Sequence, residues 1–137
     1  MFCVSTALLF DRNGKLLIYL RDDKPTISFP SHWDLFGGII EPGETPEQAL
    51  VREVGEELGI ILKTFTWFRE YNCPTGESEP NIKYVFYAKI DSVPEELTLN
   101  EGQRLTSIHL YERQAYRFAN ILGRIINDFA DAGIKMD

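Results

Sequence analysis

One short stretch constrains this chain of 137 residues more than any other feature: residues 38–60 read GIIEPGETPEQALVREVGEELGI. Thr45 is a good helix cap, the proline after it suits the first helical position, and Gln48 completes a capping box. Gly59 is a natural stop because glycine adopts the left-handed conformation that ends helices. The pattern therefore predicts a helix over about Pro46–Leu58.

This predicted helix carries an apolar stripe and an acidic stripe. Glu53, Glu56 and Glu57 lie roughly opposite the apolar face, and Arg52 is the only cation among them. Like charges three and four residues apart destabilise a helix by about 0.2–0.5 kcal/mol per pair, so the presence of this acidic cluster requires an explanation. A solvated acidic face is one alternative. The other is a site for Mg²⁺ or Mn²⁺, which prefer oxygen ligands, and we predict Glu53, Glu57 and then Glu56 as metal ligands. The apolar face consists of Leu50, Val51, Val54 and Leu58.

A glycine-rich loop leads into the helix. We expect Gly37 and Gly38 to bring the backbone close to a metal and a diphosphate, with Gly38 at a φ that favours glycine. Arg52 and Glu44 are expected to pair and brace the loop against the helix. The alternative is that Arg52 pairs only with Glu56, four residues later.

The spacing of this stretch, G-x5-E-x7-R-E-U-x-E-E-x-G-U with U a bulky apolar residue, resembles the signature of the Nudix hydrolases. The resemblance implies a divalent-metal enzyme that cleaves a nucleoside diphosphate linked to another group. It implies an α/β fold, the Nudix-type α/β/α sandwich with a mixed β-sheet between helices. It also implies that the Gly37 carbonyl is a further metal ligand.

The remainder of the chain predicts strands and one more helix. Asn13-Gly14 marks a hairpin turn between the first two strands. The second helix is expected from Tyr111 or Glu112 to about Ala130, where apolar residues recur at helical spacing. The strands are expected at Val4–Phe10, Leu16–Arg21, Thr64–Tyr71, Ile82–Ile90 and Leu105–Leu110.

Three polar residues outside the signature are candidate site residues by resemblance. Glu101 occupies a Glu-Gly-Gln tripeptide like one in MutT-type members, whose glutamate reaches the metal site; it is a candidate ligand or general base, or else a surface glutamate. Arg21 is a candidate for binding phosphate or substrate, or a solvated strand-end residue. Asn120 is a candidate for reading the base, or a polar residue on the outer face of the second helix.

Several aromatic residues are candidates for a surface that stacks on a base, and the alternative is that they pack in the hydrophobic core. These are Phe36, which we count among the substrate-binding candidates, and Phe29, Trp33 and Tyr87. Phe36 stands where many family members have a proline before the glycine pair, which weakens any transfer of substrate specificity from proline-bearing relatives, MutT-type ones included. Pro74 lies about where some ADP-ribose-cleaving relatives have a proline.

Composition narrows the function classes. The net charge is −7 and no basic cluster is visible, so we expect no nucleic-acid polymer as partner. No apolar run has transmembrane length, so no membrane association is expected. The two cysteines, Cys3 and Cys73, suit free thiols in a reducing cytoplasm. We expect one domain over residues 1–137, working as a monomer or homodimer.

The sequence therefore predicts a Mg²⁺- or Mn²⁺-dependent pyrophosphohydrolase. The expected substrate is a nucleoside triphosphate, ordinary or oxidised, cleaved to the monophosphate and diphosphate. An ADP-ribose or nucleotide-sugar pyrophosphatase is the first alternative. A Nudix-fold binding or regulatory module without catalysis is the second.

Overall fold

A computed structural model describes residues 2–73 and 80–136 of the chain. Pro74, suggested above from resemblance, lies outside the described residues. The described part contains two α-helices, α1 (Pro46–Leu58) and α2 (Leu122–Ala132), and 3₁₀ helices at Pro94–Glu96 and Leu110–Ala115. Its strands are β1 (Phe2–Phe10), β2 (Leu16–Leu20), β3 (Trp33–Asp34), β4 (Phe36–Ile39), β5 (Thr66–Cys73), β6 (Asn81–Lys89) and β7 (Arg104–Ile108).

Strand β1 lies at the centre of a mixed sheet with the order β3-β2-β1-β6-β5. It runs parallel to β6 along its whole length, and antiparallel to β2 and β4 on its other side. Strand β7 pairs with β2, and β5 pairs with β6. The pairing of β4 with the first half of β1 matters most, because it places the two glycines beside the start of the central strand.

Both faces of the sheet are covered, which makes the fold an α/β/α sandwich as expected. Because the sheet is buried on both sides, β1 is an almost continuous apolar run. The core under α1 includes Leu9, Phe36, Leu50, Val54 and Phe86. The core under α2 includes Leu8, Phe10, Val85, Ile125 and Phe129.

The predicted α1 is confirmed together with both of its ends. Oγ1 of Thr45 accepts from the Gln48 N–H at 3.1 Å, and the Gln48 side chain accepts from the Thr45 N–H at 2.9 Å. Gly59 ends the helix at φ 69°. The two-stripe picture needs correction at one position: Glu57 is only 5% exposed, so it belongs to the buried side of the helix.

The prediction of a long second helix is wrong, since α2 begins only at Leu122. The chain before it bonds to β3 instead of coiling: the Trp33 N–H donates to the Arg117 carbonyl at 2.8 Å, and the Ala119 N–H donates to the Trp33 carbonyl at 2.9 Å. Asn120 then has φ 52°, a conformation that no α-helix contains. Asn120 is therefore not on the outer face of a helix, as one alternative held.

The ends of the predicted strands agree with the structure to within about two residues. None of the helices among the described residues has the length and apolar character needed to cross a membrane.

Candidate active site

A cavity of about 490 Å³ opens beside β4, at the start of the central strand. One end is acidic and receives Glu53, Glu57 and Glu101. The other end is mainly apolar and is lined by residues from β1, β6 and the segment before α2. The site is therefore built from both sides of the sheet and joined across the glycine pair.

The glycine pair lets the α1 carboxylates reach the cavity. A Cβ at Gly38 would lie 2.5 Å from Oε1 and 2.7 Å from Oε2 of Glu53, closer than real Cβ contacts come. Our expectation of a special φ at Gly38 is wrong; Gly37 holds that conformation, at φ 142°. Gly38 is needed for space, whereas Gly37 is needed for both backbone conformation and space.

Glu57 is held at the bottom of the acidic end. Its Oε1 accepts a hydrogen bond from the Gly37 N–H at 2.9 Å. Burial raises the pKa of the Glu57 carboxyl well above its usual range, the hydrogen bond with Glu101 raises it further, and the Gly37 N–H lowers it in part. The buried Glu57 carboxyl thus lies beside a second carboxyl group, that of the exposed Glu101, which is an arrangement that a cation would relieve.

Arg52 braces the loop against α1, as one of the two sequence interpretations held. It makes a two-point ion pair with Glu44 at 2.7 and 2.9 Å, and these hydrogen bonds lower the pKa of Glu44 to about 2. It also donates to the Ile39 carbonyl at 3.0 Å and to Glu53 at 2.8 Å. Its contact with Glu56 is longer, at 3.4 Å. One guanidinium therefore fixes both the loop and the Glu53 side chain.

Glu101 reaches the same place from a separate loop, which is pinned on both sides. The Asn100 N–H donates to the Glu57 carbonyl at 2.9 Å, and its side chain donates to the Glu56 carbonyl at 3.1 Å. These bonds satisfy two carbonyls at the end of α1, which have no partner within the helix. On the other side, the Gln103 N–H donates to the Leu20 carbonyl at 2.8 Å. Glu101 is thereby tied to the helix that carries Glu57.

The structure does not bring Glu56 into the cavity. Its side chain is 58% exposed and lies 3.4 Å from the Arg52 guanidinium. Its role as a metal ligand stays a prediction.

The acidic end suits a hard divalent cation. No three His, Cys, Asp or Glu side chains among the described residues form a ready-made metal cage. Mg²⁺, however, is usually held by one or two carboxylates together with water and substrate phosphates. Glu53, Glu57 and Glu101 supply carboxylate oxygens at one end of one cavity, so the donor set fits Mg²⁺ or Mn²⁺.

The other predicted binding residues separate into two groups. Arg21 and Asn120 both line the cavity. Phe36 also lines the cavity, but its side chain is fully buried in the core beneath α1 and packs against Tyr19 at a ring distance of 5.2 Å. Its contact with a substrate stays a prediction. Of the remaining aromatic candidates, Phe29 lines the cavity.

Sequence reasoning missed several cavity residues, among them Phe2, Asp34 and Lys83. The Asp34 carboxylate accepts from Arg21 at 2.7 Å, from the Tyr19 hydroxyl at 3.2 Å and from the Leu35 N–H at 2.7 Å. Burial raises the pKa of Asp34, and Arg21 opposes that rise. The available signal for Lys83 was a lysine within strand β6, between Ile82 and Tyr84.

The comparisons with known proteins agree with this geometry. A family model for the NUDIX domain matches residues 3–129. The chain belongs to the Nudix hydrolase family. It is 52% identical over 104 residues to a nucleoside triphosphatase NudI from Escherichia coli, covering 69% of the chain and 71% of that relative.

Other relatives of this Nudix hydrolase differ in their activities and lengths. An ADP-ribose pyrophosphatase from Methanocaldococcus jannaschii is 32% identical over 74 residues, which cover 54% of the chain and 42% of that relative. The match to a further relative covers only 26% of that relative's length. The crystal structure of a MutT protein from Methanosarcina mazei Go1 superposes with a TM-score of 0.82 at 20% identity, covering 98% of the chain and 96% of that structure. This likeness shows the fold.

Proposed function

We propose that this Nudix hydrolase is a Mg²⁺- or Mn²⁺-dependent pyrophosphohydrolase that cleaves nucleoside triphosphates to the monophosphate and diphosphate. The observation that carries the proposal is that one cavity has an acidic end and a mainly apolar end. Carboxylates suited to a metal and a diphosphate lie at one end. Apolar and hydrogen-bonding groups suited to a nucleoside lie at the other.

The residues of the acidic end have separable roles in this proposal. Bound divalent cations would neutralise the diphosphate and lower the pKa of an attacking water. Glu53 and Glu57 would hold the metal, and Arg52 would keep Glu53 in place while neutralising part of its charge. The Gly37 N–H would fix the orientation of the Glu57 carboxylate.

Glu101 is the candidate for the proton acceptor. It lies against Glu57, on a loop that is anchored to both α1 and β2. A carboxylate held there could take a proton from a water molecule at the acidic end of the cavity. Glu53 and Glu56 remain the rivals for this role.

A nucleoside triphosphate is favoured as substrate by the similarity to NudI over most of both chains. ADP-ribose is the second candidate, favoured by the similarity to the archaeal ADP-ribose pyrophosphatase. That match covers less than half of the relative, so it carries less weight. A binding module without catalysis is not favoured, since such modules typically lack signature glutamates and this chain keeps them all.

The proposal is tested with a panel of nucleoside triphosphates, ADP-ribose and nucleotide sugars. Pyrophosphate release is measured for the triphosphates, and release of the nucleoside monophosphate is measured for every compound, with Mg²⁺, with Mn²⁺ and with excess chelator. We expect metal-dependent release of pyrophosphate from at least one triphosphate. The kcat/KM for that triphosphate should exceed the kcat/KM for ADP-ribose. Faster cleavage of ADP-ribose would move the assignment to the second candidate, and no turnover of any compound would refute both.

The proton acceptor is tested by comparing Glu101→Gln with Glu56→Gln. Loss of a general base typically lowers kcat by about 10²–10⁴-fold, and we expect this for Glu101→Gln with KM little changed. The rising acidic limb of the pH–rate profile should shift or flatten in the same variant. If Glu56→Gln shows these effects and Glu101→Gln does not, the general base is Glu56.

A further inference from the structure

The apolar end of the cavity contains a buried ammonium group. Lys83 is 7% exposed, and it lines the cavity from the middle of β6. Among the described residues its one hydrogen bond runs to Oδ1 of Asn81, at 3.0 Å. No carboxylate within that part of the chain comes within 4.0 Å of its Nζ. An ammonium has three N–H donors, so Lys83 retains donor capacity towards the cavity.

The neighbouring charges are already paired. Asp34 also lines the cavity, but its carboxylate is committed to Arg21, Tyr19 and the Leu35 N–H. Burial lowers the pKa of Lys83, whereas the nearby Cys73 and, to a smaller extent, the negative charge of Asp34 oppose that change. Taking a positive charge out of water without an ion partner is costly, and a polar ligand group would offset that cost.

Strand register places Lys83 away from the acidic end. Val4 of β1 pairs with Lys83 on one side and with Ile39 of β4 on the other, while Thr6 pairs with Gly37. Lys83 therefore lies two strands across and two residues along from Gly37. With strands about 4.8 Å apart and a rise of about 3.3 Å per residue, the two Cα atoms are roughly 12 Å apart.

The surroundings of Lys83 suit a base better than a phosphate. Phe2, Val4, Phe29 and Leu122 give this end apolar walls. A diphosphate would need several donors or cations together, whereas a flat aromatic ring needs apolar contact and a few polar groups. A triphosphate held by the carboxylates and metal would extend its nucleoside towards this end.

We infer that Lys83 donates a hydrogen bond to a carbonyl oxygen of the base, which makes this enzyme select nucleotides of guanine, cytosine, uracil or thymine over those of adenine. Adenine presents ring nitrogens and an amino group but no carbonyl oxygen. Its amino hydrogens would face the ammonium hydrogens. The inference rests on the proposed function, and it names the substrate class of that same site.

The test compares Lys83→Met with the parent protein in two separate assays. Methionine keeps most of the apolar stem and removes the charge and the donors. Lys89→Met is the matched control, because Lys89 lies on the same strand and is exposed. The first assay measures kcat/KM for GTP, ITP, CTP, UTP and ATP with Mg²⁺. The second measures Kd for GMP, IMP, CMP, UMP and AMP, and it does not depend on turnover.

We expect the tightest monophosphate to be a carbonyl-bearing one, with AMP at least tenfold weaker, as a hydrogen bond to a charged group can supply. Lys83→Met should weaken that ligand tenfold or more and change AMP less than threefold, and kcat/KM should follow the same pattern. AMP binding or ATP turnover below detection in both proteins counts as unchanged. Lys89→Met should match the parent.

Four outcomes overturn the inference: AMP as the tightest ligand, no monophosphate binding at all, no effect of Lys83→Met, or an equal loss for all nucleotides. An equal loss would mean that Lys83 acts on phosphate or on folding, and the melting temperature of the variant separates these two. Selective binding without any pyrophosphate release would refute the proposed function while the inference about the base stands.

Discussion

Substituting the two neighbouring glycines of β4 separately should damage the protein in two different ways. Gly37→Ala places a Cβ against the Ser5 carbonyl in the paired strand β1, at a φ of 142° that residues with a Cβ rarely adopt. The conformation costs about 1–3 kcal/mol. The overlap with backbone costs about another 1–3 kcal/mol, because a paired strand cannot move aside cheaply.

Together these costs are about 2–6 kcal/mol, a large part of the 5–15 kcal/mol that keeps a typical domain folded. At about 3–5 °C per kcal/mol for a domain of this size, Gly37→Ala should lower Tm by about 6–30 °C, with the middle of both ranges near 16 °C.

Gly38→Ala meets only the end of a flexible side chain. The new Cβ would overlap the Glu53 carboxylate, which relieves the overlap by rotating away from the cavity. An off-rotamer side chain costs about 0.5–1.5 kcal/mol, and the partly exposed contact with Arg52 contributes about 1 kcal/mol or less. Tm should therefore fall by only about 3–8 °C. Activity should fall as far as in Glu53→Gln, by orders of magnitude, because the side chain that we propose as a metal ligand would leave the site.

The measurements are thermal unfolding followed by circular dichroism, and the initial rate of pyrophosphate release at saturating Mg²⁺ well below each Tm. Gly55→Ala in α1 is the control, since its Cβ would make only an ordinary contact with the Ile60 carbonyl at 3.6 Å. It should keep full activity and gain up to about 1 kcal/mol from helix propensity. The reasoning is refuted if Gly38→Ala retains more than half of the parent rate, or if it destabilises the fold as much as Gly37→Ala.

Three further predictions concern α1 and its loop. Glu57→Gln should abolish most activity yet raise the Tm of the metal-free protein. Because the pKa of Glu57 is raised in the folded state, its carboxyl does not destabilise the fold below the unfolded pKa of about 4.3, but it becomes destabilising as pH rises. The difference in Tm between variant and parent, measured in chelator, should therefore widen from pH 5 to pH 8. A constant difference across that range would contradict the assignment of a buried, proton-holding carboxyl. Arg52→Lys cannot make the two-point pair with Glu44 and should lower kcat at least tenfold with a smaller change in Tm, whereas parent-like kcat would show that the brace is dispensable. Thr45→Ala removes the helix cap and should lower the free energy of unfolding by about 1 kcal/mol without altering kcat, as measured by urea titration and initial rates.

The sequence determined the local parts of the site. Thr45, Gln48 and Gly59 act through contacts within a few residues, so the start and end of α1 could be read directly from the chain. The spacing of Glu53 and Glu57 is likewise a property of one helix. The same holds for the hairpin between β1 and β2, whose turn is encoded by adjacent residues.

Tertiary structure decided everything that depends on two distant segments meeting. The second helix begins later than its apolar spacing predicts, because the segment around Arg117 bonds to Trp33 of β3. Glu57 is buried because β4 presents glycines to it, and no helical periodicity reveals that. Phe36 is buried in the core under α1, and the sequence alone could not distinguish that position from a surface that stacks on a base.

The same distinction explains why Lys83 escaped sequence analysis. Alone, a lysine in a strand indicates a solvent-facing position, since buried lysines are rare. Only the parallel pairing of β6 with β1, opposite β4, places Lys83 in the cavity that receives Glu53 and Glu57. The sequence thus specified the family and the acidic half of the site. The half that would meet the nucleoside depends on strand order and register, which a single sequence does not encode locally.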